Sequence, residues 1–152
     1  MIHEVEIKNL VTHSDDRGFF REVLRNSDPI LDGKFAQWNH SKLYTGVIKA
    51  WHWHKKQSDW WYVVSGVLRI GLYDLREDSP TFGETNSFLM GDDQTSQVVR
   101  IPPGVAHGCR AIEGPVHLFY VVDFEYDRDD DIRILHDDPT IGFDWLKLHD
   151  IT

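Results

Sequence analysis

The feature that most constrains this chain is the lack of any sustained helical period. Apolar residues recur instead in short runs rich in Val, Ile, Phe, Trp and Tyr: HEVEIKNL, GFFREVL, FAQWNHSKL, GVIKAWHWH, DWWYVVSG, VLRIGLYDL, SFLMG, QVVRIP, HGCRAI and VHLFYVVDF. β-branched and aromatic side chains of this kind suit a pleated, half-buried surface. Turn-forming clusters separate the runs, including DDRG, SDP, SG, EDSPTFG, MGDD, PPG and EGP. Many short strands with regular punctuation predict an all-β fold, a sandwich or jelly roll that wraps its sheet edges into two packed layers. The last segment, EYDRDDDIRILHDDPTIGFDWLKLHD, combines a charge run, a Pro-terminated turn and anchoring aromatics. It predicts an irregular tail with one short helical turn, folded back over the barrel mouth.

A chain of 152 residues is long enough to bury a core without disulfide or metal staples. With no repeat, low-complexity stretch or linker, residues 1–152 are expected to form one domain. Asp plus Glu outnumber Lys plus Arg by 25 to 16, a net charge of -9 that argues against general affinity for nucleic acid or anionic membrane. A phosphate-bearing ligand would need a local basic cluster. Cys109 is the sole cysteine, which excludes an intramolecular disulfide framework and a Cys-rich zinc site and suits a reducing compartment. No apolar run approaches the ~18 residues of a membrane span. The start, MIHEVEIKNL, lacks a signal-peptide pattern, so a soluble, cytoplasmic protein is expected.

Chemistry concentrates in GVIKAWHWHKKQSDWWYVVSG, residues 46–66. On an extended strand His52 and His54 share one face, and Trp51 and Trp53 the other. The order Gly46, His52-x-His54, Asp59, Gly66, followed by Pro102-x-Gly104-x-x-His107, resembles the two motifs of the cupin superfamily. That resemblance implies a jelly roll in which His52, His54, Asp59 and His107 face one cavity, a set whose N and O donors suit Zn, Fe, Mn or Ni. The superfamily's usual Glu is Asp here. The other reading is a solvated histidine pair beside a turn aspartate.

A longer series of segments resembles the nucleotide-sugar 3,5-epimerases, whose type member acts on deoxythymidine-diphosphate 4-dehydro-6-deoxyglucose. The segments are HSDDRGFFRE, FAQWNHS, GVIKAWH, YDLREDSPTFG, RIPPGVAHG, LFYVVDFEY and HDDPTIGFDW, in the family's order over almost the whole chain. The resemblance implies a cofactor-independent isomerase. His52 would be the base, Asp138 the carboxylate that orients it, and Tyr120 the acid on the opposite face of the sugar. Arg17, Glu22, Gln37 and Asn39 would grip the nucleobase and diphosphate, part of that set reaching across a homodimer interface by strand exchange near the N-terminus. Tyr126 would sit at the nucleotide end, and His107 would be a second polar wall group. His54 is read as a supporting group.

Those residue types fit the chemistry. A ketone acidifies the neighbouring carbon only weakly, so a base of near-neutral pKa must work beside a group that stabilises the enolate oxygen. Histidine, unperturbed at about 6.5, is free to take a proton at pH 7. A carboxylate on its other nitrogen fixes the tautomer and stabilises the imidazolium. Inversion then requires a proton from the opposite face, which a tyrosine can give.

Two positions depart from the family. Its Arg-Gly-Leu-His reads Lys49-Ala50-Trp51-His52, which keeps the charge but loses bidentate recognition. Its lysine beside the 4-keto oxygen is replaced by Asp59, which would repel an enolate. Lys49 turned inward, Asp59 bound to a sugar hydroxyl, or a metal on His52, His54 and Asp59 are the compensations open. A metal-dependent cupin acting as oxygenase or isomerase, and a non-catalytic module that binds sugar nucleotides, are therefore alternative functions. Of the clustered tryptophans, Trp51, Trp53 and Trp60 are expected in packing, and Trp61 on the cavity side. His3, His13, His40, His117 and His149 are expected to be structural or surface residues, and Cys109 a buried apolar one.

Overall fold

The computed structural model describes residues 1–92, 94 and 96–147; His149 lies outside them. Ten strands are β1 (Glu6–Asn9), β2 (Thr12–Asp15), β3 (Gly18–Arg21), β4 (Gln37–Leu43), β5 (Ile48–Trp53), β6 (Asp59–Asp74), β7 (Thr85–Gly91), β8 (Gln97–Ile101), β9 (Val105–Val122) and β10 (Ile132–Arg133). No helix occurs among the described residues, so the helical turn expected in the tail is absent there. None is therefore long and apolar enough to cross a membrane.

Two long strands build the jelly roll. The first part of β6 pairs with β8, and the second, from Val67, with β7. β9 pairs first with β5 and then, from Val116, with β4. Each long strand thus passes from one layer into the other. One layer runs β1-β8-β6-β9-β4 and the facing one β7-β6-β9-β5-β10, all antiparallel.

The SG and EGP signals therefore mark bends inside continuous strands. Register shifts between Val63 and Leu68 absorb the bend in β6. Gly66 sits at φ 78°, where a Cβ would lie 2.6 Å from the Glu113 carbonyl, so only glycine lets the two bends nest.

Leu43, Val63, Leu68, Ile70, Leu72, Val99, Ile101 and Leu118 fill the space between the layers. Two satellite cores close the outer faces. Trp60 and Val98 are covered by Ile30 and Leu31. Trp51 and Ala106 are covered by Ile141 and Trp145 from the tail. Trp51 and Trp60 are each 1% exposed, and burying such rings contributes several kcal/mol apiece. Packing thus accounts for both, and Trp53 joins the Trp51 cluster.

Candidate active site

A cavity of about 350 Å³ opens between the layers. β4 lines it with Gln37, Asn39, Ser41 and Leu43, in strict alternation. β6 contributes Asp59 and Trp61, and β9 contributes His107, Cys109, Leu118, Tyr120 and Val122. β5 gives Lys49 and His52, three residues apart, because the register slips between them. A bulge of this kind turns two side chains of odd spacing to one face. His54 and Gln57 follow from the next loop, and the tail supplies Tyr126, Asp127, Asp131 and Arg133 at the mouth.

His52 Nδ1 lies 3.0 Å from Asp131 Oδ1. Burial pushes the Asp131 carboxyl up, but hydrogen bonds from His52 and Arg133 and their charges outweigh it and hold the group below its usual range. As an ionised acceptor it requires Nδ1–H as donor, which leaves Nε2 bare. The carboxylate on His52 Nδ1 in the structure is that of Asp131, where sequence resemblance points to Asp138. Asp138 lies in an exposed turn, where its Oδ1 accepts from the Thr140 amide at 2.8 Å. The reason is register. β10 pairs Ile132 with Trp53 and Arg133 with His52, and so brings Asp131 beside the two histidines.

His54 is held differently. Its Nδ1 donates to the Asp130 carbonyl at 2.7 Å, while the Asp130 carboxylate accepts from the Lys55 amide at 2.8 Å. Sequence reasoning misses Asp130, Asp131 and Gln57. The available signal is the alternation DIRI after an acidic run, a strand edge hidden in a charge-rich tail.

Asp59 is 3% exposed. It accepts from Gln57 Nε2 at 2.8 Å and Trp61 Nε1 at 3.0 Å. His107 donates Nδ1–H to the Val105 carbonyl at 3.1 Å. Burial above all, with the nearby His54 and His52, lowers the His107 pKa to about 4 against the pull of Asp59, so its ring is neutral at pH 7. Among the described residues, His54, Asp59 and His107 form a group able to hold a cation, with ligand atoms within 4.8 Å of one another. His52, the fourth residue of the set read from sequence, is not in that group.

Burial first, then the charges of Asp59 and Asp131, raises the Tyr120 pKa and keeps the phenol protonated. Cys109, pushed up to about 12 by burial, is an inert thiol. Lys49 Nζ donates to Ser41 Oγ at 2.9 Å. Gln37 bonds Asn39 and the Tyr126 amide. Arg17 and Glu22 do not line the cavity of their own chain. Arg17 pairs with Asp15 at the tip of the β2–β3 hairpin and Glu22 with Arg25 just beyond it. His40 and His117 form an exposed stacked pair, and His13 stacks on Phe20.

The family model for dTDP-4-dehydrorhamnose 3,5-epimerase matches residues 1–152. The chain belongs to that family. The spore coat polysaccharide biosynthesis protein SpsL of Bacillus subtilis is 48% identical over 148 residues, covering 95% of this chain and 97% of SpsL. The crystal structure of a dTDP sugar isomerase from Desulfovibrio desulfuricans superimposes with a TM-score of 0.90 at 26% identity, covering 97% of this chain and 94% of that one. A Legionella pneumophila 3,5-epimerase, crystallised with dTDP-4-keto-L-rhamnose, gives a TM-score of 0.86 at 25% identity over 99% of this chain and 83% of its own. The epimerase family thus accounts for the jelly roll, and the chain is an isomerase-type enzyme of that family.

Proposed function

We propose that this enzyme epimerises a nucleotide-diphosphate-linked 4-keto-6-deoxy sugar, with His52 as base and Tyr120 as acid. His52 Nε2 removes the proton from a carbon beside the ketone, and the electron pair moves onto the carbonyl oxygen as an enolate. Tyr120 then delivers its hydroxyl proton to the other face of that carbon and the ketone re-forms. The imidazolium and phenolate exchange protons with solvent to restore both groups. The observation that carries this reading is that His52, with Asp131 on Nδ1, and a protonated Tyr120 line one cavity. Lys49 and Arg133 are the cations of the lining, suited to a diphosphate or a developing oxyanion. Trp61 and Tyr126 offer aromatic faces to the sugar and the nucleobase.

Arg17 and Glu22 enter this reading through a second copy. The β2–β3 hairpin forms a two-stranded sheet of its own and carries exposed Phe19 and Phe20. In a homodimer it would cover those rings and present its charged side chains to the partner's cavity. The reading is tested by incubating dTDP-4-keto-6-deoxyglucose with the enzyme in deuterium oxide. Deuterium should enter the carbon beside the ketone and His52→Ala should abolish entry; wash-in that is unaffected by His52→Ala overturns the assignment.

A further inference from the structure

We infer that Arg133 is a positioning residue that ties the anionic end of the substrate to the base: one edge of its guanidinium holds Asp131 and the other takes the diphosphate. The inference rests on the epimerase reading and names how that enzyme uses the phosphate end of its substrate.

Three side chains stand in line at the cavity mouth. His52 Nδ1 lies 3.0 Å from Asp131 Oδ1, and Arg133 Nη2 donates to Asp131 Oδ2 at 3.0 Å. Their placement follows from the strand. Asp131 and Arg133 are two residues apart and Arg133 pairs with His52 across β5, so all three project from one face. All three line the cavity. The carboxylate is thus held by both oxygens, one on the base and one on the cation.

The second bond decides how well the first is aimed. Around Asp131 the backbone is fixed without help from Arg133. The Asp130 carboxylate accepts from the amides of Lys55, Lys56 and Gln57, and Ile134 exchanges both backbone hydrogen bonds with Trp51. What stays free is the torsion that swings the carboxylate plane, a broad rotation between tetrahedral and trigonal carbon. A carboxylate gripped at Oδ1 alone turns about that bond; one gripped at both oxygens is fixed.

Arg133 itself is held at one edge. Its side chain is 71% exposed, against 14% for that of Asp131, and among the described residues Asp131 is the one partner of its guanidinium. The other N–H groups of this planar five-donor fork are left for a ligand. An ion pair so open to solvent is weak, and holding the long side chain costs rotamer entropy. An anion on the open donors changes this. Phosphate oxygens match the fork at two points, so a bound nucleoside diphosphate fixes the guanidinium at both edges and passes that order to Asp131 and the ring of His52. Lys49, the other cation of the lining, has no such link: its Nζ donates to Ser41 Oγ at 2.9 Å and pairs with no acid among the described residues.

The consequence is specificity expressed in rate. Binding energy from a part of the substrate that does not react goes into orienting the base. A sugar carrying a diphosphate is thereby selected in kcat over the bare sugar.

The test follows deuterium entry into dTDP-4-keto-6-deoxyglucose with the full chain and with Arg133→Met, which keeps an unbranched side chain and removes the charge. We expect kcat to fall by about 10- to 100-fold, as for a group misplaced by up to about an ångström, and KM to rise by about tenfold with the lost diphosphate contact. In an Asp131→Asn background Arg133→Met should again raise KM but lower kcat no further, because an amide that gives its oxygen to His52 turns its NH2 to Arg133 and has already cut the link. An unchanged kcat in Arg133→Met, or losses in kcat that multiply in the double variant, would overturn the inference. A second measurement needs no sugar: the ring 15N shifts of His52 at fixed pH under saturating inorganic pyrophosphate. Nδ1 should move in the wild type and hold still in Arg133→Met, whose His54 and His107 signals report that it is folded. No movement in the wild type, or equal movement in both proteins, overturns the link. These outcomes separate the link from the epimerase reading. Deuterium entry that requires His52 but ignores Arg133 in kcat removes the link alone; a pyrophosphate response through Arg133 without exchange on any 4-keto sugar nucleotide keeps the link and removes the epimerase reading.

Discussion

Replacing Asp131 by Asn, beside the parallel change Asp138→Asn, tests which carboxylate serves the base. The amide keeps the shape and an oxygen for His52 Nδ1–H but removes the charge that stabilises the imidazolium. At the observed 3.0 Å, an imidazolium and a carboxylate attract by about 5–6 kcal/mol at an effective dielectric constant of about 20. The two side chains are 34% and 14% exposed, so solvent screening leaves roughly half, about 2.5–3 kcal/mol. At about 1.4 kcal/mol per tenfold, kcat should fall by about 100-fold. Because the loss falls on charge that develops during proton transfer, KM should change little. Asp138→Asn preserves the turn bond to Thr140 and should stay within about twofold, as for a surface substitution. Initial rates of deuterium entry, followed by proton NMR at saturating substrate, measure both variants. A collapse in Asp138→Asn with near-normal turnover in Asp131→Asn would refute the assignment.

Tyr120→Phe should still admit deuterium through His52 but return it to the face it left, so the yield of inverted product falls by ~10²-fold or more relative to exchange. Because burial raises the Tyr120 pKa above 10.0, the wild-type rate should show no alkaline loss below pH ~10. Burial pushes Asp74 up, but hydrogen bonds from Arg76, Ser79 and Thr81 prevail and hold it well below the usual carboxylate range. Asp74→Asn should cost about 3–5 kcal/mol in urea melts at pH 7. That stabilisation is complete above the unfolded value of about 3.9 and is lost as pH falls below it, so wild type and Asp74→Asn should converge in acid. Gly108→Ala sets a Cβ 2.5 Å from Ala50 Cβ and 3.0 Å from the Trp145 ring, where β5 and β9 meet. It should destabilise by about 1–3 kcal/mol, read as a lower Tm.

What was legible in the sequence follows from which forces are local. The period of two places Gln37, Asn39, Ser41 and Leu43 on one wall and puts Trp61 beside Asp59, because strand alternation needs no knowledge of distant residues. Lys49 and His52 share the cavity only through a bulge that pairing with β9 imposes. Likewise SG and EGP look like strand ends, yet β6 and β9 continue through them because each has a different partner on either side. Asp131 was hidden for the same reason. Its place depends on the two paired residues of β10 and on the packing of Trp145 against Trp51, 94 positions earlier in the chain. Resemblance to the family's segment before Pro139 points to Asp138, while the carboxylate that β10 sets on His52 Nδ1 is Asp131.

Two histidines one residue apart are held differently because two adjacent aspartates meet them with different groups. Asp131 offers His52 a carboxylate oxygen at 3.0 Å from Nδ1, which fixes the ring and its tautomer. Asp130 offers His54 a neutral carbonyl and commits its own carboxylate to the amides of Lys55, Lys56 and Gln57. The Asp130 carboxylate also stands 4.0 Å from His54 Nδ1, and Asp59 Oδ1 3.9 Å from its Nε2, so that ring is fixed between two acids at the back of the cavity. Under the proposed function, proton transfer falls to His52 and Tyr120, and His54 belongs to the polar floor beside Asp59 and His107. The division is set by the register of β10 against β5. A slip of one residue there would hand the carboxylate to the wrong face of the strand and leave His52 without its partner.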